Sequence, residues 1–478
     1  MNFKFLLATL APLTMLCLAI ATAQITETKL LASDRGPWDY FGQSVSLSGK
    51  HALVGAFGDD DKGENAGAAY VFHYEGSSWV EQTKLFASDG EEHELFGKSV
   101  SLSGEYALIG GYGDSDNGPY SGSAYIFHYD GSSWVEQTKL IPSDGEEYAD
   151  FGGSVSVSGD HMIVGAETDR GTRGSAYIFQ HDGSNWVEQT KLKPSDVVRG
   201  DNFGWSVTIS GDYALVGSRY DDDNGEWSGS VYVFHYEGRN WEEQTKLFAS
   251  DGAPHDYFGF SLSLSGDYAI VGAAYDDNEN GPDAGSAYIF HHDGSNWIEQ
   301  TKLLASDGAT GDSFGKSVSL SGEYALIGAD DDGDNGANSG SAYIFHYDGS
   351  NWVEQTKLIS SDGSSEDHFG VSVSLSSEYA LIGAVYDDED GEWTGSAYVY
   401  GGFGTPADPL AQYGTCYGST GSAEPNNPGA LITIDPLTGN GTLIGPTGII
   451  GDTGPSVPAL AIKSTGDGRR LYRRHGYF

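Results

Sequence analysis

Residues 314–363 read FGKSVSLSGEYALIGADDDGDNGANSGSAYIFHYDGSNWVEQTKLISSDG, and the fold follows from how this stretch is built and repeated. SVSLSG alternates small polar and apolar residues with the period of a strand exposed on one face. YALIGA is short and almost wholly apolar, as a strand buried on both faces would be. GSAYIFHY is aromatic and β-branched and runs into Asp348-Gly349, a strong hairpin signal. WVEQTKL alternates again and carries Glu and Lys, which suits an outer strand that must not recruit neighbours. A Phe-Gly pair opens such a unit at Phe41, Phe96, Phe151, Phe203, Phe258, Phe314 and Phe369, at intervals of 55, 55, 52, 55, 56 and 55 residues.

Seven units of four antiparallel strands, without helical periodicity, predict an all-β, seven-bladed β-propeller of four-stranded blades. The ends of the array carry a closure signal. The seventh unit stops after Gly395–Gly401 and lacks its WVEQTKL strand, while an orphan fourth strand, Ile25–Leu30, precedes the first Phe-Gly. An N-terminal strand completing the last blade accounts for both, and a single closed ring is expected to be monomeric.

Three domains are expected. Residues 1–23 read as a signal peptide: Lys4, an apolar run from Phe5 to Ile20, then Ala21-Thr22-Ala23. Residues 24–401 form the propeller. Residues 402–478 form a Gly/Pro-rich C-terminal segment with a short β or irregular part, in which Ala430–Gly448 has the look of one unit of a second repeat domain cut short. The chain then ends in RRLYRRHGYF, which holds four of its ten arginines and reads as a truncated or frame-shifted end or, alternatively, as a sorting or docking tail. Cleavage after Ala23 leaves Cys416 as the one cysteine, so disulfides do not hold the protein together. The implied location is secreted or cell-surface, with no membrane insertion after cleavage. With 69 Asp and Glu against 24 Lys and Arg, the net charge of −45 repels nucleic acid and anionic membranes and leaves cations and basic patches as the partners that charge favours.

Phe-Gly at the head of each unit, Val54-Gly55-Ala56, Ile327-Gly328-Ala329 and Ile382-Gly383-Ala384 after the second strand, and Gly-Ser-Ala-Tyr in the third resemble FG-GAP repeats. Such repeats build the seven-bladed propeller of integrin α-subunits and of many secreted microbial proteins. The resemblance covers residues 25–401 and implies an adhesion or binding role toward an extracellular protein or glycan. It does not carry over the family's calcium loop. That loop joins the first two strands, and here the link is only Ser321–Tyr324 or Ser265–Tyr268.

Acid is concentrated instead in the second link of each unit. Aligned on a glycine, every loop shows acids four and two residues before it. The pairs are Asp59 and Asp61, Asp114 and Asp116, Glu167 and Asp169, Asp221 and Asp223, Asp277 and Glu279, Asp332 and Asp334, and Asp387 and Glu389. Paired carboxylates before a glycine suit a hard cation, so these fourteen residues are candidate Ca²⁺ ligands. In the fifth unit Asp276, Asn278, Asn280 and Gly281 match the start of an EF-type loop, but no acid closes it. Asp34, Asp89, Asp144, Asp196, Asp251, Asp307 and Asp362, in the link between units, should reach the same rim. So should Asp39, Glu94, Asp201, Asp256, Asp312 and Asp367.

The recurring His73, His128, His235, His291 and His346 read as packing residues, and the tryptophans at 79, 134, 186, 241, 297 and 352 as blade-to-blade contacts. His93, His255 and His368 lie in rim loops as auxiliary ligands. Trp38, Trp227 and Trp393 are rim aromatics outside the repeat and read either as rings that stack on sugars or as rings that anchor their own loops. No nucleophile motif or arginine cluster stands out, so catalysis is not expected. The alternatives are a polysaccharide hydrolase acting in the central opening and a purely structural surface component.

Overall fold

The computed structural model describes residues 25–403 apart from Asp390, and three short strands beyond them. The signal peptide and the arginine-rich end lie outside the described residues. In the first blade the strands are Ser44–Ser48, His51–Ala56, Ala68–Tyr74 and Trp79–Leu85, hydrogen-bonded in that order. The second strand is buried along nearly its whole length and the fourth alternates, as their sequences require. The same four-stranded antiparallel sheet recurs in all seven blades, and the one helical turn among the described residues is Asp169–Thr172. No described helix is long and apolar enough to cross a membrane.

The N-terminal strand, Thr26–Leu30, pairs antiparallel with Ser396–Gly401, Leu30 standing opposite Ala397 and Thr26 opposite Gly401. It is the fourth strand of the seventh blade, so the ring closes as the two chain ends imply.

First strands of neighbouring blades touch all the way around, which makes them the innermost layer. Their register is held by one repeated bond. Ser44 Oγ donates to Gly97 O, and the equivalents at Ser99, Ser154, Ser206, Ser261, Ser317 and Ser372 do the same, at 2.7–2.9 Å. The last of these reaches Gly42 and closes the circle. The approach explains the glycines of the repeat signature. A Cβ on Gly55 would stand 1.9 Å from Gly97 O, and Gly97 itself has φ +91°. Each repeat phenylalanine packs edge-on against its blade's third-strand tyrosine, as Phe41 does on Tyr70 at 5.4 Å.

The outer strand holds the ring as well. Glu81 accepts both the backbone N–H and the hydroxyl of Ser33 at 2.8 Å, and Glu136, Glu188, Glu243, Glu299 and Glu354 repeat this on Ser88, Ser143, Ser195, Ser250 and Ser306. Glu27 of the N-terminal strand completes the set on Ser361. The repeated tryptophans do bridge blades: Trp134, Trp241 and Trp352 donate their indole N–H to Gln82, Gln189 and Gln300. The repeated histidines pack on second-strand rings, Tyr324 and His346 lying 4.5 Å apart.

Beyond the propeller, Cys416–Ser419, Ala430–Ile434 and Gly441–Pro446 form a three-stranded antiparallel sheet. The last two lie within Ala430–Gly448.

Closure by the N-terminal strand makes Leu30, 3 % exposed, a core residue between the last blade and the first. Leu30→Ala is expected to cost about 3 kcal/mol in denaturant unfolding, as for a buried leucine elsewhere. An unchanged midpoint would mean that the strand does not close the ring.

Candidate functional site: the acidic rim

Seven ion cages lie on the rim, one per blade. In the first blade Lys84 faces Tyr70 across the third and fourth strands. Its Nζ lies 2.6 Å from Asp59, 2.7 Å from Asp61 and 2.9 Å from Asp34. The Tyr70 hydroxyl donates to Asp34 and Asp59 at 2.8 and 3.0 Å. The same tyrosine–lysine pairing recurs in the other six blades, Lys29 of the N-terminal strand serving the seventh. Lys139 holds Asp89, Asp114 and Asp116; Lys246 holds Asp196, Asp221 and Asp223; Lys357 holds Asp307, Asp332 and Asp334. Lys29 holds Asp362, Asp387 and Glu389 at 2.7–3.0 Å.

The convergence of both acid families on one rim is therefore present, and in five blades the paired acids meet as aligned. In two blades the alignment on glycine slips. The third blade replaces the long loop with the helical turn, so its cage acid is Asp169, held with Asp144 by Lys191. Glu167 stands outside that cage, next to Asn202 at 3.3 Å. The fifth blade's loop is one residue longer. Asp276 takes the cage position with Lys302 and Asp251, and Asn278 fills the place of the second acid. Asp277 instead accepts the backbone N–H of Asp283, and Glu279 is exposed.

Each cage centre, the place a Ca²⁺ would occupy, holds a lysine ammonium. Sequence reasoning missed this because it read WVEQTKL as edge protection. The signal was there: Tyr in the third strand and Lys in the fourth recur in every blade that carries the acids. The lysines sit among carboxylates whose first members, from Asp59 to Asp387, are only 1–6 % exposed. Burial by itself would lower the Lys84 pKa, but bonds to Asp34, Asp59 and Asp61 hold it above its usual value. Burial would raise Asp34, and the bond from Lys84 brings it below the ordinary carboxylate range. Asp89, Asp251 and Asp362 behave alike.

A third acid of six blades is buried without a lysine contact. Asp39, Asp201, Asp256, Asp312 and Asp367 each accept a backbone N–H from three residues earlier, at 2.5–2.7 Å. Burial, opposed by that bond and reinforced by neighbouring aspartates, pushes these five up to about 6. Burial takes Glu94, the sixth, to about 7.

The repeat breaks in two further places on the rim. Trp38 and Trp393 meet edge-on at 4.4 Å across the junction of the seventh and first blades, with Tyr40 and Tyr386 against them. Trp227 packs with Tyr220, His255 and Tyr257 at the junction of the fourth and fifth. The three tryptophans remain 36–42 % exposed. At the rim end of the inner strands, the residues after each Phe-Gly and each Gly-Ala differ from blade to blade. Lys98 lies over Phe57, and the Arg219 guanidinium lies 3.1 Å from the centre of the Trp205 ring. Burial lifts the Glu167 carboxyl to about 7 against the pull of Arg219 and Lys98. Of the rim histidines, His93 and His255 lie outside these charged groups, whereas His368 contacts Asp330 and Asp331.

The family model of the FG-GAP repeat matches residues 25–72, 79–127, 134–179, 186–234, 241–290, 297–345 and 352–400. The chain belongs to the FG-GAP repeat family. Each matched FG-GAP unit begins on the fourth strand of one blade and ends on the third strand of the next, which is the same offset that ring closure requires. Among curated proteins none matches the chain.

Replacing Lys84 by Met strands Asp59 in the interior and is expected to cost about 3–5 kcal/mol, most of it recovered by adding Asp59→Asn. Denaturant unfolding of the single and double variants checks this, and a mild single variant would refute the cage. The acids also set a pH profile. Groups raised in the folded state stabilise it below their ordinary value of 3.8 and lose that contribution as pH climbs through about 6. Groups lowered by the lysines stabilise above 3.8 and lose it below. The melting temperature should peak near pH 4 and fall as pH climbs to about 6. Asn at 39, 201, 256, 312 and 367 should flatten the fall from about pH 4 to 6, while Asn at the exposed turn residues Asp130, Asp182, Asp293 and Asp348 should not.

Proposed function

We propose that this FG-GAP propeller is a secreted or cell-surface binding protein that engages a glycan through the aromatic patches on its acidic rim. The carrying observation is the exposed Trp38–Trp393 pair, with Trp227 as a second station. These rings interrupt an otherwise regular repeat, stand in solvent, and are braced from behind by Tyr40, Tyr386 and Tyr257. Rigid, half-exposed tryptophans are the side chains that most often anchor a binding surface, because they offer large contact area with few rotatable bonds. Flat rings suit the apolar faces of sugar units, and the surrounding carboxylates suit their hydroxyls.

Calcium, the cation expected from the paired acids, would have to displace a lysine ammonium from each cage. The function therefore rests on the rings, and the lysines supply the positive charge within the loops. A protein partner recognised by charge would need a basic face and would bind less tightly as salt rises.

The test is retention of the full-length protein on a panel of immobilised polysaccharides, with dissociation constants for the best binder. Trp38→Ala with Trp393→Ala is expected to weaken binding by at least tenfold, with folding unchanged by thermal melt. EDTA should leave binding intact. Unaltered affinity in the double variant would dismiss the aromatic patch, and a loss of binding in EDTA that Ca²⁺ alone restores would return the rim to a calcium role.

A further inference from the structure

Where the sixth and seventh blades meet, at the inner end of the rim, Asp330, Asp331 and His368 converge outside any lysine cage. His368 Nδ1 lies 3.3 Å from Asp331 Oδ1 and 3.6 Å from Asp330 Oδ2, and one donor atom from each residue falls within 4.8 Å of the others. Two ligands each roughly 2.1 Å from one metal ion stand about 3.0–3.4 Å apart, so the spacing is close to that of a ligand set.

A second observation points the same way. Asp330 is 3 % exposed, and its Oδ1 is buried without a hydrogen-bond partner. A carboxylate oxygen left so inside a protein carries a desolvation cost that a ligand would offset. The surroundings are built to orient the donors. Ser313 Oγ donates to Asp331 Oδ2 at 2.8 Å, and the His368 ring packs edge-on against Tyr386 at 5.1 Å. Glu366 lies 3.8 Å from Nε2, on the side of the ring away from the aspartates, where a carboxylate commonly fixes a metal-bound imidazole.

The charges also close. Asp330, Asp331 and Glu366 carry three negative charges, and Lys316, 3.8 Å from Asp330 Oδ2, carries one positive. With the His368 proton released to solvent as the ion binds, a divalent ion brings the group to zero. The constellation is a break in the repeat. The matching positions where the seventh blade meets the first are Val385, Tyr386 and Tyr40, which offer no such donor set.

We propose that Asp330, Asp331 and His368 form a single site for a divalent transition-metal ion of the Mn²⁺ to Zn²⁺ series. One imidazole with two carboxylates favours such ions over Ca²⁺ and Mg²⁺, which take oxygen ligands. This site is separate from the seven lysine cages and borders the Trp38–Trp393 patch through Tyr386.

Isothermal titration of the chelator-stripped, full-length protein with Zn²⁺, Mn²⁺ and Co²⁺, each against Ca²⁺ and Mg²⁺ at matched ionic strength, tests the site. One equivalent of a transition ion should bind, and the melting temperature should climb with its free concentration. His368→Gln and Asp331→Asn should each weaken binding at least tenfold while His255→Gln leaves it unchanged. Co²⁺ absorption should report nitrogen ligation that is lost in His368→Gln, a readout independent of stability. Three results would overturn the proposal: no binding of any transition ion, binding undiminished in His368→Gln, or an equal response to Ca²⁺ and Mg²⁺.

Discussion

Each blade of this ring places a buried aspartate at the foot of its rim loop, and the propeller stands only if that charge is answered. An isolated carboxylate in the interior is among the costliest groups a fold can hold. Here the answer is a lysine whose stem runs along the outer strand and whose ammonium reaches inward to two or three acids at once. One ammonium against three carboxylates leaves negative charge over. The remainder is shared with donors that the fold already provides: the tyrosine hydroxyl, the serine that opens the third strand, and backbone N–H groups of the loop itself. Asp221, for example, meets Lys246, Ser230 and Tyr232 within 3.3 Å. The cage thereby ties the outermost strand to the loop between the second and third strands and to the link leading in from the preceding blade. In the seventh blade the lysine comes from the opposite end of the chain, so the charge that satisfies Asp387 also fastens the ring shut.

The architecture was legible because every local signal agreed: strand periodicity, turn residues, repeat length and the displaced terminal strand all implied one closed ring. Seven copies amplify a pattern that one copy would leave ambiguous. The rim was legible in composition and in which links would meet, but the identity of its counter-ion was not. A lysine in an alternating outer strand has the same sequence appearance whether it points to solvent or into a cage. Only the pairing of Tyr70 with Lys84 across two strands decides it. Glu81 was obscured in the same way, since a glutamate that grips Ser33 in the preceding link looks in sequence like surface charge.

The two register errors have one cause. Loops of unequal length were aligned on a glycine, whereas the structure aligns them on the aspartate whose backbone carbonyl accepts the N–H of the glycine before the third strand. Gly67 donates to Asp59, Gly174 to Asp169 and Gly285 to Asp276 in this way. Loop length is free to change between those anchors; the anchors are not. Glu167 was drawn into the metal set by spacing alone, and the structure returns it to the innermost rim with Arg219 and Lys98.

Near-identical repeats make departures informative. Residues that hold blade to blade are the same seven times because the same contact must form seven times. Nothing in ring closure demands tryptophan at 38, 227 and 393, arginine at 219, or Asp-Asp-His at one junction. Those positions lie on the one face where long links meet, while the opposite face is made of short Ser-Gly and Asp-Gly turns. A symmetric scaffold carries a specific site only by breaking its own symmetry. In this protein the breaks fall at the blade junctions and around the inner strands, where a ligand could touch several blades at once.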